Sequence, residues 1–589
     1  MAARERTTLP VDRSLAHLLH RRGEAHPDRL ACRVLPSDGP AAELTYAQLD
    51  HQARELAGGL RTIGVSGDRV MLLLPNSLDF IVGFMACAYA GMVAVPLPYP
   101  VLGRGLAKTV AHATALVKSA APVATIAMAA DLDTVRAEPA FGRVSTTADL
   151  RNAAEPVTTE YLPGRSDLAL LQFTSGSTTQ PRGVMLTHDN ILHNLAQLAQ
   201  LGDMDNRDVA PEDTRLVSWL PMFHDMGLGM GTFALHIGGR CDFMTPAQFL
   251  MRPLSWLENI AAVGAQISGA PNFAYDLCVA QISAAERDRL DLSSWEITLN
   301  AAEPVRHDTV QRFTEFFAPA GLRPSVTAPC YGLAEATVFA TGLKAPKAAP
   351  TLLRLDRQSL QDGSVVLSDT DDAVTLVGNG RTPEWLTLQI VEFDEARGLG
   401  APVPPGRIGE VWLHGPNVGR GYWQDAEASW ATFGGRLPDD DRTHLRTGDL
   451  GFLHDGELYI TGRLKDLIIV DGRNHQPQDI ERTVEDCHPD IGPRRCAVFA
   501  ADPGVDAQLI VAAELTPHAW QAFSRGDESV GASVAQAIRT AVNENHQLPA
   551  SGVVLLRPGS IPFTTSGKVR RSACRERYTD GRWTAVPPL

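Results

Sequence analysis

No pair or cluster of cysteines in this 589-residue chain has the spacing of a disulfide framework or a zinc site. The eight cysteines, Cys32, Cys87, Cys241, Cys278, Cys330, Cys487, Cys496 and Cys574, are scattered, with no Cys-x-x-Cys pair. That pattern fits reduced core thiols and a cytoplasmic location. Positive charge is in short supply: 53 Lys and Arg face 68 Asp and Glu, for a net charge of −15. A generic nucleic-acid binder needs a basic surface, so that class is disfavoured, as is binding to an anionic membrane surface. The opening MAARERTTLPVDRS lacks the apolar stretch of a signal peptide. Long hydrophobic runs are missing too. FIVGFMACAYAGMVAV, from Phe80 to Val95, falls short of the roughly 18 residues of a membrane span and is closed by Pro96. It reads as a buried helix running into a buried strand, and no integral membrane association is expected.

What is present is ordinary globular material, 44% hydrophobic and 21% charged, enough for sizeable cores. From about residue 14 to 340, helical patterns alternate with short β-rich runs. LTYAQLDHQARELAGGLRTIG spaces Leu49, Ala53, Leu56 and Leu60 as one helical face, with Gly64 as a stop. RVMLLLP and DLALLQF read as buried strands. Such alternation predicts an α/β architecture with largely parallel sheets. The stretch near 345–372 opens with APKAAP, carries few apolar patterns and reads as an inserted or lid-like loop. LQIVEF and GEVWLHG then predict a smaller β-rich unit, and LPDDDR (Leu437–Arg442) a solvated loop. After Arg463, QPQDIERTVEDC, RCAVFA, LIVAAEL, SVAQAIRTAVNENH and VVLL read as a compact α+β unit.

The segment that carries most chemistry is TSGSTTQPRG, Thr174–Gly183. It follows the strand ending at Phe173 and precedes the helical DNILHNLAQLAQ. A Gly/Ser/Thr loop there offers backbone N–H groups and hydroxyls to phosphate oxygens, and Arg182 adds a fixed positive charge. The GK[ST] ending of a Walker loop is absent. Alone, such a stretch is usually only a turn. Six further segments follow in order: PMFHDMGL (Pro221–Leu228), NAAEPV (Asn300–Val305), YGLAEAT (Tyr331–Thr337), RTGDLG (Arg446–Gly451), GRLKDLII (Gly462–Ile469) and TTSGKVRR (Thr564–Arg571).

Together these segments resemble the adenylate-forming superfamily of acyl-CoA synthetases, luciferases and peptide-synthetase adenylation domains, over almost the whole chain. Within it, SWLPMFHDMGLG, SGAPNFAYDLC (Ser268–Cys278), NAAEPV and DGRNHQPQDIE (Asp471–Glu481) are most similar to the fatty acyl-AMP ligases, which also carry an extra segment where residues 345–372 stand. Arg182 departs from the lysine that is common in the superfamily. The fold implied is α/β: a large N-terminal adenylation lobe of α/β subdomains with a small β-barrel-like subdomain, residues 1–463, followed by a mobile small α+β domain, residues 464–589.

The resemblance also implies roles. Lys568 would reach the substrate carboxylate and the α-phosphate. His224 would line the carboxylate end of the acyl pocket. Glu335, with Thr174, would hold Mg²⁺ on the phosphates of ATP. Thr174, Ser175, Gly176, Ser177, Thr178 and Arg182 would contact the β- and γ-phosphates. Ala301, Ala302, Glu303, Tyr331 and Gly332 would form the adenine slot, and Asp449, assisted by Arg463, would bind the ribose. Lys465 would be the hinge, and Trp219, Asn272 and Phe273 would line the acyl tunnel. The expected activity is ATP-dependent conversion of a fatty acid or related carboxylic acid to its adenylate, then acyl transfer to a phosphopantetheinylated acyl carrier protein. Arg494, Arg495, Arg570 and Arg571 could form a basic patch for an acidic carrier. Three other readings stand beside this one: a CoA ligase with the same first step, an amino-acid adenylating enzyme with Asp225 facing the amine, and an inactive nucleotide-binding protein.

Overall fold

The computed structural model describes residues 12–36, 39–101, 105–160, 162–174, 181–342, 348–470, 473–502, 508–564 and 567–586. Two sheets organise the first half. One has eight strands in the spatial order Thr341–Gly342, Thr327–Tyr331, Ile297–Asn300, Ile267–Ala270, Arg215–Ser218, Arg240–Phe243, Leu30–Val34 and Ala42–Thr45. Its interior pairings are parallel, and only the two outermost strands run antiparallel to their neighbours. The other has six: Arg143–Ser145, Ala124–Ala127, Arg69–Leu73, Val93–Pro96, Leu168–Thr174 and Arg182–Thr187.

The apolar run at Phe80 forms the helix Leu78–Ala90. Ser77 caps it by accepting the Phe80 N–H, and Gly91 ends it in the left-handed region at φ 74°. Nearly every residue from Phe80 onward is buried, as a helix apolar on all sides must be. It passes directly into the strand Val93–Pro96. A second concentration of burial lies under Arg215–Ser218 and Ile267–Ala270. There Trp219 stacks on Phe249 at 4.0 Å, and Trp256 packs edge-on against Trp295 at 5.4 Å. Each such fully buried side chain contributes roughly 2–3 kcal/mol of transfer free energy.

Beyond residue 380 the strands Leu399–Pro402, Thr387–Asp394, Gly409–His414, Asp440–His454, Gly435–Leu437 and Glu457–Arg463 form an antiparallel, nearly closed barrel-like sheet. The sequence reading placed a solvated loop at Leu437–Arg442; the structure makes it a tight hairpin, with Arg442 held on Asp440. The segment read as a loop near 345–372 is also more ordered than its composition suggests. Leu352–Leu355 pairs antiparallel with Val374–Val377, and a short helix, Arg357–Gln361, lies between them. Leu353 and Leu355 alternate onto Phe452 and Tyr459 of the barrel-like sheet, and that shared apolar face holds the segment down.

The last 120 residues form an α+β unit around the strands Ile491–Ala500, Leu509–Leu515 and Ala550–Leu556. The helices Pro477–Asp486 and Glu528–His546 close one apolar face of this sheet; Arg571–Thr579 closes the other. Among the described residues, no helix is long and apolar enough to cross a membrane.

Candidate active site

Four of the sequence segments arrive at one rim because four parallel strands end there. Trp219–His224 follows Arg215–Ser218, Asn272 follows Ile267–Ala270, Ala301–Glu303 follows Ile297–Asn300, and Tyr331 closes Thr327–Tyr331. In open α/β sheets, the carboxyl ends of the strands are where ligand crevices form. The backbone there is strained. Ala302 and Thr337 hold left-handed conformations, φ 69° and 72°. Each costs on the order of 1 kcal/mol or more and persists only where its surroundings fix it. Thr337 is fixed by its hydroxyl donating to the Asn417 carbonyl at 2.7 Å. Gly332 is obligatory, since a Cβ there would lie 1.8 Å from the Val338 carbonyl oxygen.

Three predicted nucleotide residues meet directly. The Tyr331 hydroxyl donates to Asp449 Oδ2 at 2.7 Å, and Arg463 Nε donates to Asp449 Oδ1 at 2.8 Å. Asp449 is buried, near the bulge where Asp440–His454 pairs with Glu457–Arg463. Burial, and then the neighbouring carboxylate, push the Tyr331 phenol well above its ordinary pKa, so it stays a donor. Asp449 raises the pKa of Arg463 in turn. Each carboxylate oxygen accepts more than one hydrogen bond, so the pair can still take two vicinal hydroxyls.

Around the predicted phosphate loop the local structure differs from the sequence reading. Arg182–Thr187 is a strand, paired antiparallel with Leu168–Thr174, and the helix read from DNILHNLAQLAQ follows it directly as His188–Leu201. The two flanks of the loop are therefore paired antiparallel strands, where the sequence reading had a strand on one side only. Val, Leu and Thr in RGVMLT favour the extended backbone, and Thr187 caps the helix that follows. Thr174 and Arg182 face each other across the strand pair. Ser175, Gly176, Ser177 and Thr178 lie outside the described residues. Arg182 stacks over the Tyr422 ring at 5.3 Å, and the Tyr422 hydroxyl donates to Glu335 Oε1 at 2.7 Å. Tyr422 thus joins the predicted cation to the predicted metal ligand. Sequence reasoning passed over it, and GYW at 421–423 gives no signal beyond a glycine beside two aromatics.

His224 occupies the N-cap position of the helix Asp225–Ile237, with its ring 4.5 Å from that of Phe223. The positive end of that helix dipole suits an anion. Burial raises the Asp225 pKa, against the Met226 N–H and the charge of Lys568. Lys568 extends from the small α+β unit. Solvent still reaches its side chain, but surrounding protein crowds it and lowers its pKa. Arg463 pushes the same way, while Asp225, Asp449 and Glu303 oppose both. One ammonium therefore feels both the helix start at Asp225 and the Tyr331–Asp449–Arg463 group.

Trp219, Asn272 and Phe273 sit beneath this region. Trp219 is part of the aromatic core. The amide of Asn272 is occupied, donating to Thr309 Oγ1 at 3.0 Å and accepting from the Arg306 N–H at 3.1 Å. An apolar cavity opens elsewhere, between the helices Leu78–Ala90 and Asp225–Ile237, lined by Phe80, Phe84, Met222, Leu228, Gly231 and Phe243 among others. The sequence signal for it was the all-round apolarity of Phe80–Ala90. Lys465 lies in the short turn of 3₁₀ helix Leu464–Asp466 that joins the barrel-like sheet to the last unit. The supposed basic patch is largely spent. Arg494 pairs with Glu303, Arg495 with Glu514, and Arg571, itself largely buried, with both Asp466 and Glu481.

Residues 19–423 match the family profile described as AMP-binding enzyme, and residues 465–586 the profile described as Disco-interacting protein 2-like, AMP domain. The chain is 37% identical to the long-chain-fatty-acid–AMP ligase FadD26 of Mycobacterium marinum, covering 97% of this chain and 99% of that protein. It is 36% identical to the putative fatty-acid–CoA ligase fadD25 of Mycobacterium tuberculosis, covering 98% and 99%. A solved structure from a study of fatty acyl-adenylate ligases of E. coli and L. pneumophila superposes with a TM-score of 0.85 at 30% identity, covering 98% of this chain and 99% of that one.

Proposed function

The chain belongs to the family of AMP-binding enzymes, and on that premise we propose that its crevice joins a fatty acid to the AMP portion of ATP and then passes the acyl group to a carrier-protein thiol. The enzyme is a ligase that activates fatty acids as acyl-adenylates. The observation that carries the reading is the buried Asp449 carboxylate held between the Tyr331 hydroxyl at 2.7 Å and Arg463 Nε at 2.8 Å, with Arg463 and Asp449 among the charges that act on Lys568.

In the first step a carboxylate oxygen of the fatty acid forms a bond to the α-phosphorus. The bond from that phosphorus to the bridging oxygen breaks, and pyrophosphate leaves with the electron pair. Two anions meet, so positioning and positive charge matter more than a protein nucleophile. Lys568 lies between them, and the helix start at His224 faces the carboxylate. Asp449 with Arg463 takes the ribose hydroxyls, Tyr331 and Ala301–Glu303 the adenine, and Thr174 and Arg182 the β- and γ-phosphates. The cavity beside Phe80 and Gly231 takes the acyl tail. Glu335 suits Mg²⁺. Among the described residues no cluster of three metal-ligating side chains exists, and this cation is commonly held by one or two carboxylates plus substrate phosphates. Glu335 commits Oε1 to Tyr422 and has a second oxygen to offer a cation. When bound, Mg²⁺ would neutralise phosphate charge. In the second step a thiol sulfur bonds to the acyl carbon, the carbon–oxygen bond to AMP breaks, and the thiol proton goes to solvent.

The relative named as a CoA ligase keeps a second acceptor in view. The deciding experiment incubates the protein with ATP, Mg²⁺ and dodecanoate, then adds CoA or a phosphopantetheinylated carrier protein and reads products by mass spectrometry. Dodecanoyl-AMP that survives CoA and loads the carrier is the expected result. Rapid dodecanoyl-CoA formation would replace the carrier with CoA.

A further inference from the structure

The small α+β unit meets the large lobe through Arg494, a residue outside the seven motif segments. Between Ile491 and Cys496 the strand Ile491–Ala500 loses register with Leu509–Leu515. Within that irregularity Arg494 takes a left-handed backbone at φ 55°, unusual for a residue with a Cβ. A strained residue persists where its surroundings determine it, and what surrounds the Arg494 guanidinium is the other lobe. It donates to Glu303 Oε2 at 3.1 Å and lies over the Phe273 ring, 4.8 Å from its centroid.

Its target is prepared. The other oxygen of Glu303 accepts the Phe273 N–H at 2.5 Å. Phe273 is in the first turn of the helix Asn272–Gln281, whose N-cap residue, Pro271, has no side-chain hydrogen bond to give. Glu303 therefore caps that helix from a different segment, and its carboxylate is already aimed when Arg494 arrives. Gly567, next to Lys568, comes close to the same ring, close enough that an added Cβ there would lie 3.9 Å from Phe273 Cε1. Glu303 is also among the charges that Lys568 feels. A second inter-lobe pair, Arg482 with Asp308, flanks the contact.

We infer that Arg494 is a positioning residue for adenylate formation: by seating on the Glu303–Phe273 platform it sets the orientation of the small unit that brings Lys568 to the reacting groups. Glu303 then acts as a docking carboxylate, beyond any contact it makes with adenine. The inference rests on the adenylation reading given above. It accounts for a cation held in a costly backbone conformation, and for an acid shared between a helix end and the opposite lobe.

The test is dodecanoate-dependent ATP–pyrophosphate exchange by the full-length protein, with hydrogen exchange measured alongside. Arg494→Ala is expected to lower kcat by about ten- to hundredfold, the scale of a misplaced catalytic group. KM for ATP and dodecanoate should stay within about twofold, and the melting temperature should not move. Arg494→Lys keeps the charge without the planar stacking face and should recover part of the loss. Amides of the peptides spanning 300–306 and 491–496 should both exchange faster in Arg494→Ala. A wild-type kcat in that variant, or a loss carried wholly by KM or by unfolding, would overturn the inference. A wild-type protein that exchanges no label with any fatty acid would instead sink the functional reading. The positioning contact would still be judged by hydrogen exchange, where unchanged protection in both peptides refutes it.

Discussion

Lys568 carries its charge at a position that solvent reaches but where the crowding protein and Arg463 both oppose it, with Asp225, Asp449 and Glu303 in partial compensation. Its pKa is lowered, so the ammonium is lost at a lower pH than on an isolated lysine. Adenylation that needs the charged form should therefore fail early on the alkaline limb of a pH–rate profile. Lys568→Arg should move that limb upward. Lys568→Ala should reduce pyrophosphate exchange by about 10²–10³-fold, as loss of a preorganised charge does. Asp449 makes a second residue-scale prediction. Asn in its place leaves Arg463 without a full countercharge and offers the ribose one acceptor oxygen instead of two. Asp449→Asn should raise KM for ATP by about ten- to hundredfold, equivalent to about 1.5–3 kcal/mol for a hydrogen bond to a charged group. An unchanged KM would remove Asp449 from the ribose site. Gly332 is structural in the same region. Gly332→Ala forces a Cβ against the Val338 carbonyl, and should lower stability by about 3 kcal/mol or more by thermal melting, in the class of large backbone-conflict effects.

The helix Leu78–Ala90 shows what an element-scale pattern conveys. Its continuous apolarity identified a buried helix running into a strand, and the structure places one there. It did not say what the helix faces. That depends on Asp225–Ile237, some 140 positions away, packing with Gly231 toward Phe243. Gly231→Val, with its side chain aimed at a ring already 3.0 Å from the position of the added Cβ, should shorten the acyl chain accepted. Its kcat/KM for hexadecanoate should fall at least about tenfold relative to hexanoate, on the scale of a few methylenes excluded from an apolar pocket. Equal losses for both acids would place the tail elsewhere. The phosphate loop shows the opposite case. Its Gly/Ser/Thr composition was legible, but RGVMLT was not recognised as a strand, because six residues with one charge and one Gly carry too weak a two-residue period to separate them from the helix start that follows. The segment near 345–372 misled in the same way: two alternating leucines, Leu353 and Leu355, were enough to fasten it to Phe452 and Tyr459.

Across the whole molecule, acid should loosen the fold through buried neutral histidines. Burial holds His188, His236 and His475 at pKa values of about 4, against 6.5 for exposed imidazole. A base with a depressed folded pKa contributes stability above the unfolded value, and that contribution is lost as pH falls from about 6.5 toward 4. At His188 a hydrogen bond stands beside that burial. Its Nδ1 accepts the Leu15 N–H at 3.3 Å, joining the first helix to the start of His188–Leu201, and a protonated ring cannot accept. The melting temperature should fall across that window, and His188→Asn should flatten the slope. A melting temperature constant from pH 6.5 to 4 would show that these rings are hydrated or already unpaired.

Much of the chemistry was readable from the chain by itself. Spacing within TSGSTTQPRG, YGLAEAT, RTGDLG and TTSGKVRR is local, and local spacing selects residue types: glycine where a backbone must turn or approach, cations and carboxylates where phosphate and ribose are met. Alternating helix and strand periods are local as well, so an α/β large lobe with a smaller β unit and an α+β end could be read from them. Where those groups meet depended on contacts across hundreds of positions. Tyr331 finds Asp449, Tyr422 links Arg182 to Glu335, and three of the four arginines read as a carrier patch pair with Glu303, Glu514, Glu481 and Asp466. A charge on a sequence has no partner until strands and lobes pack, because Coulomb and hydrogen-bond terms act over a few ångströms in space and are indifferent to distance along the chain.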